Sequence, residues 1–160
     1  MKIKISLLFL ICICILLAGC NMQTASVTNF YYLTQSDYES PQGNIDHEQH
    51  KGKPDPLAYK ELLNNYLSGP NSKELINPFP NETHLVSITV EQQTATVVLS
   101  DHIAQLTGVD LTLACTCLTL TVRDLTGCAN VQIRAQNELL DNHQSISINS
   151  NSVQFFDTAK

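Results

Sequence analysis

Two histidines in the N-terminal half of the chain could bind a metal ion. His47 and His50 are three residues apart in His-Glu-Gln-His, a spacing that brings both imidazoles to one side of a helix. A protein site needs a third ligand, however, and Gly43, Gly52 and Pro54 around the pair favour a loop. We therefore predict that both histidines are solvated loop residues and that the protein holds no metal and no other cofactor.

Three cysteines in the C-terminal half could do thiol chemistry. Cys115-Thr116-Cys117 is one residue short of the Cys-x-x-Cys redox motif, and side chains two apart on a helix face different directions. Their apolar surroundings instead predict small, buried hydrophobic side chains. Cys128 could form a disulfide if the protein is exported. Cys115, Cys117 and Cys128 cannot all pair with one another, so the pairing of Cys128 stays open.

The serines and histidines show no spacing typical of a hydrolytic site. Ser87, Ser100 and Ser145 lack the flanking glycines of a nucleophile elbow. Six glycines are spread over the chain without forming a phosphate-binding loop, and nothing ties His102 or His143 to a nucleophile. The sequence therefore predicts a protein that is not an enzyme and has no catalytic residues.

The first twenty residues have the pattern of an export signal that ends in a cysteine. Lys2 and Lys4 precede an apolar run of about 14 residues, short of the roughly 20 that a membrane-spanning helix needs. The run ends in Leu17-Ala18-Gly19-Cys20, which resembles the lipobox of bacterial lipoproteins. The resemblance implies that the signal is cut before Cys20 and that the Cys20 thiol receives a lipid. We expect a signal peptide at 1–19 and a lipidated tether at 20–26, on the extracytoplasmic face of the cell membrane.

The net charge argues against partners that are themselves anionic. The formal charge is −6, and loss of Lys2 and Lys4 with the signal would leave seven basic residues against fifteen acidic ones, or −8. Such a surface repels nucleic-acid phosphates and anionic headgroups. We expect no nucleic-acid binding, and membrane contact through the lipid alone.

The segment behind the tether reads as a strand, a long loop and a helix. Residues 27–33 are aromatic and β-branched, which predicts a strand, and the polar residues 34–53 predict a loop. Asp55-Pro56 is typical of a helix start. An apolar stripe continues to about Leu67, where Gly69-Pro70 predicts the end of the helix.

A second group of elements follows a proline-rich approach. Residues 85–90 and 95–99 predict an antiparallel hairpin. Residues 110–125 fit both an alternating strand and a helical stripe; Asp110 as N-cap and Gly127 beyond the end favour a helix. Val131 and Ile133 predict a strand, and the order so far is strand, helix, strand, strand, helix, strand. The extension 138–160 reads as one further strand or an ordered cover.

These segments together resemble the GerMN domain of sporulation and spore germination lipoproteins. The resemblance covers about 30–135, and its marks are Leu62-Leu63 before Gly69-Pro70, the approach from Pro78 to Thr83, the strand Ala95-Thr96-Val97-Val98-Leu99-Ser100, and Leu118-Thr119-Leu120-Thr121 before Gly127 and Val131. It implies a compact α+β domain at 27–137 with the order β-α-β-β-α-β. Two helices would pack on one face of a three- or four-stranded sheet, similar to ring-building motifs.

The resemblance also implies a role in the cell envelope. We expect a lipid-anchored, non-catalytic assembly or interaction module that acts in sporulation or spore germination. Its partners would be envelope or sporulation proteins, or further copies of the chain. The alternative is an accessory lipoprotein that binds a surface ligand or a wall fragment.

Overall fold

Two helices and seven strands are present in the residues that the computed structural model describes, which are 27–35, 45–51 and 55–153. The helices are α1, Tyr59–Leu67, and α2, Gly108–Thr126. The strands are β1, Val27–Thr34; β2, Ile45–Lys51; β3, Leu75–Ile76; β4, Leu85–Glu91; β5, Thr94–Leu99; β6, Asn130–Ala135; and β7, Ile146–Asn149. The predicted α+β class is confirmed.

The strands form two sheets. The first has the order β2-β1-β3 and is antiparallel throughout. The second has the order β4-β5-β6-β7, in which β5 and β6 are parallel and the outer pairs are antiparallel. The parallel pair needs a crossover, and α2 provides it. The tight β4–β5 turn contains Gln92 with φ of 53°, as a two-residue hairpin requires.

Helix α2 lies between the sheets, and its stretch from Cys117 to Val122 is buried on all sides. It contacts β1 of the first sheet and β6 and β7 of the second, and ten of its nineteen residues are buried. A helix that is apolar all round belongs in a core. Most of its buried residues share one hydrophobic core with Phe30, Tyr32, Leu63, Tyr66, Val97, Leu99, Val131 and Ile133.

Helix α2 accommodates three of its threonines through hydrogen bonds within the helix. The hydroxyls of Thr112, Thr116 and Thr126 each donate to the backbone oxygen four residues earlier, at 2.9, 2.8 and 2.7 Å. These bonds satisfy the hydroxyls within the helix. The helix ends at Gly127, which has φ of 77° and donates its N–H to Arg123 O at 2.7 Å, as a left-handed C-terminal cap does.

The start of α1 agrees with its predicted signals. The Asp55 carboxylate accepts from the Leu57 N–H at 3.0 Å, and Pro56 begins a 3₁₀ turn at Pro56–Ala58 that leads into α1. Leu63, Tyr66 and Leu67 are buried on the inner side. The helix therefore covers the β4 side of the second sheet.

The predicted order of elements is present, but three further strands surround it. The loop predicted for 34–53 is wrong in part, because Ile45–Lys51 is strand β2, paired with β1 along its length. The sequence of β2 does not alternate between polar and apolar residues, because neither face of this strand is fully buried. The two-residue β3 joins the other side of β1, and β7 lies in the extension where one more strand was expected.

Candidate functional site

The predicted lipid attachment residue, Cys20, lies outside the described residues, as do the signal peptide and the tether. The first described residue is Val27, at the start of β1. Within the described ranges, neither helix combines the length and hydropathy needed to span a membrane.

His47 and His50 lie on opposite faces of β2. The His50 ring stacks on Phe30 with centroids 4.9 Å apart, and the His47 ring packs against Tyr31 at 5.4 Å. Side chains of a strand alternate between faces, so residues three apart cannot share one metal ion. No group of three or more metal-ligating residues is present in the part of the chain that the structure describes.

The three described cysteines are buried and unpaired. Burial raises the pKa of both Cys115 and Cys117 to about 12, so neither thiol ionises near neutral pH. The prediction that these side chains pack in the core is confirmed: Cys115 is 1% and Cys117 is 0% exposed. Cys128, at 3% exposed, also belongs to the main core.

One serine, one histidine and one carboxylate form a chain of contacts that the sequence does not suggest. His102 Nδ1 lies 3.3 Å from Ser100 Oγ, and His102 Nε2 lies 3.3 Å from Glu82 Oε2. The Ser100 hydroxyl also accepts from the His84 N–H at 3.2 Å and is 4% exposed. A nucleophile needs access to its substrate, so we interpret this chain as a link between the start of β4 and the end of β5.

Ser87, Ser145 and His143, which the sequence did not place in a hydrolytic site, do not join this chain. Ser87 is exposed on β4, and Ser145 Oγ accepts from Gln132 Nε2 at 3.0 Å. His143 forms a backbone bridge with Leu140 in the β6–β7 loop. The structure thus brings none of these residues together as a reacting group.

A surface pocket of about 540 Å³, lined mainly by residues with polar side chains, opens beside the C-terminal end of α1. Three asparagines, Asn64, Asn77 and Asn81, line it together with Glu82 and His84. Two of the amides already hold the backbone: Asn64 Oδ1 accepts from the Leu85 N–H at 3.0 Å, and Asn77 Nδ2 donates to Leu67 O at 3.1 Å. The pocket could take a small hydrophilic ligand but has no aromatic wall.

Polar side chains fix β1 against α2. Asn29 Nδ2 donates to Asp124 Oδ2 at 2.9 Å, and the Tyr31 hydroxyl donates to the same oxygen at 3.3 Å. The Arg123 guanidinium binds Asp124 Oδ1 at 2.9 Å and neutralises it. Because every charge has a partner, this cluster is better suited to positioning β1 than to binding a ligand.

A similar link holds the segment after β6. Asp101, just after β5, accepts from the Asn137 N–H at 2.7 Å, from Asn137 Nδ2 at 2.9 Å and from the Glu138 N–H at 3.2 Å. The bonds from Asn137 hold the pKa of Asp101 below its usual value. These contacts connect the C-terminal ends of β5 and β6.

The outer edges of the second sheet are the remaining candidate for binding. We call the outer edges of β7 and of β4 from Ile88 to Glu91 the open edges, since each strand has one strand neighbour among the described residues. At the start of β4 the edge is occupied by α1, because Asn64 Oδ1 accepts from the Leu85 N–H. Neither strand has Lys, Arg or Pro; Glu91, the last residue of β4, is their one charged side chain. Edges with few charges and no prolines can accept another strand.

The geometry defines an α+β domain with two helices, a three-stranded sheet and a four-stranded sheet. Residues 29–141 match a family model named Germane and described as "Sporulation and spore germination". The match covers more than half of the chain, and the protein belongs to this family. A comparison with curated proteins finds no significant match.

Solved structures with the same fold are distant in sequence. The tandem GerMN domains of the sporulation protein GerM from Bacillus subtilis match with a TM-score of 0.60 and 16% identity, over 83% of this chain and 49% of that one. This chain thus spans about half the length of the tandem structure. The first GerMN domain of the same protein gives a TM-score of 0.53 at 16% identity, over 70% and 84%.

A second organism supplies a further similar structure. A candidate lipoprotein from Clostridium perfringens matches with a TM-score of 0.50 and 16% identity, over 78% of this chain and 87% of that one. At such low identity these likenesses show the fold alone. The predicted resemblance to the GerMN domain is confirmed by the family match and the GerM structures.

Sequence reasoning missed the open edges and the contact chain through His102. The scarcity of charged residues in β4 and β7 is visible in the sequence, but no local pattern predicts that either strand lies at the edge of a sheet. Ser100 and His102 lie two residues apart after a predicted strand, whereas Glu82 comes from the loop before its hairpin partner. Only the pairing of β4 with β5 brings these two segments together.

Proposed function

We propose that this protein is an extracytoplasmic lipoprotein, anchored through Cys20, whose GerMN-like domain is a non-catalytic interaction module in sporulation or spore germination. The observation that carries the proposal is the pair of open edges in a domain of the sporulation and spore germination family. We place the domain at 27–137, after a signal peptide at 1–19 and a tether at 20–26, with the extension at 138–160.

Several features support a role in interaction. The described thiols are buried, and the contact chain from Glu82 through His102 ends at the buried Ser100. The similarity to a candidate lipoprotein supports the anchor, and the tandem GerMN structure supports self-association, because a second copy would supply a second domain. Envelope and sporulation proteins are the other proposed partners, and the negative charge disfavours nucleic acid.

The proposal is tested by deleting the gene in a spore-forming host. We expect a lower count of heat-resistant spores and recovery on expression of the unsubstituted chain. The matched control expresses Cys128→Ser, which keeps the lipid site. A spore count and a germination rate that are both unchanged by the deletion would contradict the proposed role.

One observation favours a second function. The amide-lined pocket beside α1 could hold a hydrophilic wall fragment, as an accessory binding lipoprotein would. A thermal-shift titration of the full chain in detergent with soluble muropeptides tests this function. A rise in the melting temperature that Asn81→Ala removes would support it, and no shift at millimolar ligand would argue against it.

A further inference from the structure

We propose that copies of this protein associate head to tail, with the outer edge of β7 in one copy forming a parallel strand pair with the outer edge of β4 in the next. The inference rests on the proposed interaction role and names the partner, a second copy, and the surface it uses. Each interface would therefore contain the β7 edge of one copy and the β4 edge of the next.

The directions of the strands make this pairing geometrically simple. β4 is antiparallel to β5, β5 is parallel to β6, and β7 is antiparallel to β6. β4 and β7 therefore run in the same direction along opposite edges of the sheet. A second copy shifted across the sheet, without being inverted, brings its β4 beside β7 as a parallel neighbour. The sheet then continues from one copy into the next, and each end keeps one open edge.

The backbone of β7 has hydrogen-bonding groups directed outward. The Ser150 N–H donates to Ala129 O at 2.8 Å, just beyond the Asn130–Asn149 pair. Along a strand of an antiparallel pair, the backbone N–H and C=O groups of successive residues point alternately toward the neighbouring strand and away from it. The N–H and C=O groups of Ser147 and Asn149 therefore point away from β6, and both residues are exposed.

The same alternation applies to β4. The Asn130 N–H donates to Gln93 O at 3.3 Å, so Thr94 and Thr96, one and three residues later, direct their backbone groups toward β4. Their partners are Glu91 and Thr89. Val90 lies between these two partners and Ile88 lies before them. Both therefore direct their backbone groups away from the sheet.

The side chains of the two edges suit one another. Ile88 and Val90 on β4 pair with inward-facing residues of β5, and Ile146 and Ile148 on β7 pair with inward-facing residues of β6. All four are incompletely buried in the single copy, and Val90 is 43% exposed. Pairing of the edges would extend one apolar row across both copies.

The long edge strand of the first sheet, β2, shows a contrast with the open edges. β2 has the sequence Ile-Asp-His-Glu-Gln-His-Lys, in which acidic, basic and imidazole side chains occupy five of seven positions. Charged side chains protect a sheet edge from further pairing. The second sheet lacks this protection on both of its edges, although both sheets belong to one chain.

The size of the interface determines where association occurs. β7 has four residues, so the pair is short and falls below the area of a stable soluble dimer. Tethering to one membrane raises the effective concentration of neighbouring copies. We therefore expect association on the membrane and little of it in dilute detergent.

Disulfide cross-linking of the full chain in its own membranes tests the proposal. Thr89→Cys and Ser147→Cys in one chain should give a ladder of dimers, trimers and larger species after mild oxidation. Co-expression of the two single variants in separate chains should stop at the dimer. Each single variant alone should stay monomeric, and Asn149→Cys replaces Ser147→Cys to cover the neighbouring register.

The described native thiols give little background, because Cys115, Cys117 and Cys128 are buried. Val90→Lys should remove the ladder, whereas Gln49→Lys on the exposed part of β2 should leave it unchanged. A dimer from Thr89→Cys alone would overturn the inference in favour of antiparallel β4–β4 pairing. Absence of cross-links in both registers would overturn it as well.

The result is separable from the proposed function. Absence of cross-links together with a lower spore count on deletion would contradict the association and leave the sporulation role standing. A ladder together with unchanged spores and germination would support the association and contradict that role.

Discussion

The side chains of Thr121 and Tyr66 form hydrogen bonds with the backbone of Tyr31, which the short strand β3 does not reach. The Tyr31 N–H donates to Thr121 Oγ1 at 3.0 Å, and the Tyr66 hydroxyl donates to Tyr31 O at 2.9 Å. The Tyr32 hydroxyl in turn donates to Tyr66 O at 2.9 Å. β3 pairs with β1 at Leu33 and Thr34 alone, so these side chains satisfy backbone groups that a longer strand would have met.

The Tyr66 hydroxyl is fully buried, and desolvation raises the pKa of Tyr66 well above its usual value. Tyr66→Phe removes the buried hydrogen bond that the Tyr66 hydroxyl donates to Tyr31 O. We expect it to lower the free energy of unfolding by about 1–3 kcal/mol, measured by urea denaturation of the full chain in detergent.

Tyr59→Phe is the matched control, because the Tyr59 hydroxyl has no hydrogen bond to any residue that the structure describes and its side chain is half-buried. We expect this change to stay within about 0.5 kcal/mol. An equal loss in both variants would contradict the role assigned to the Tyr66 hydroxyl.

At the scale of elements, the end of α2 decides where β6 can begin. The Cys128 N–H donates to Thr126 Oγ1 at 3.2 Å directly after Gly127, and β6 starts at Asn130. The left-handed conformation of Gly127 turns the chain within these few residues so that β6 can lie parallel to β5. The position of this glycine therefore supports the register of the second sheet.

Gly127→Ala tests the importance of that conformation. A Cβ atom at Gly127 would meet nothing within 4 Å, so the expected loss comes from φ of 77° and not from a clash. We expect a loss of about 1–2 kcal/mol in the free energy of unfolding. Gly127→Asn should lose less, because asparagine adopts this conformation more readily. Equal losses for both variants in urea denaturation would contradict this explanation.

At the scale of the whole molecule, the proposed anchor keeps the domain close to the membrane. β1 begins at Val27, seven residues after Cys20. A fully extended linker of that length reaches about 25 Å at roughly 3.5 Å per residue. A partner must therefore lie near the membrane surface, which suits association between neighbouring copies.

Cys20→Ser tests the anchor directly. We expect loss of incorporated radiolabelled palmitate and transfer of the protein out of the membrane fraction, because the acyl chains are its proposed hold on the bilayer. Cys128→Ser should retain both properties, since Cys128 is a core residue. Continued labelling of Cys20→Ser would show that the lipid is attached elsewhere or that the lipobox assignment is wrong.

The elements with strong local signals were predictable from the sequence. Asp55 and Gly69 enclose α1, Gly127 ends α2, and the polar turn at Gln92 separates two β-branched runs. The buried state of Cys115 and Cys117 followed from their apolar surroundings. In each case the residues within a few positions determine the outcome, because capping, turn geometry and side-chain periodicity are local effects.

The surfaces proposed for function depended on contacts between distant segments. β2 is a strand because β1 supplies its hydrogen bonds, and its histidines are separated because strand side chains alternate. β4 and β7 become open edges of equal direction only once α2 makes β5 and β6 parallel. Local patterns in the sequence were enough to predict the family, α1 and the hairpin, and they favoured a helix for α2. The tertiary structure alone decided which strands lie at an edge, since a strand's neighbours are set by long-range packing.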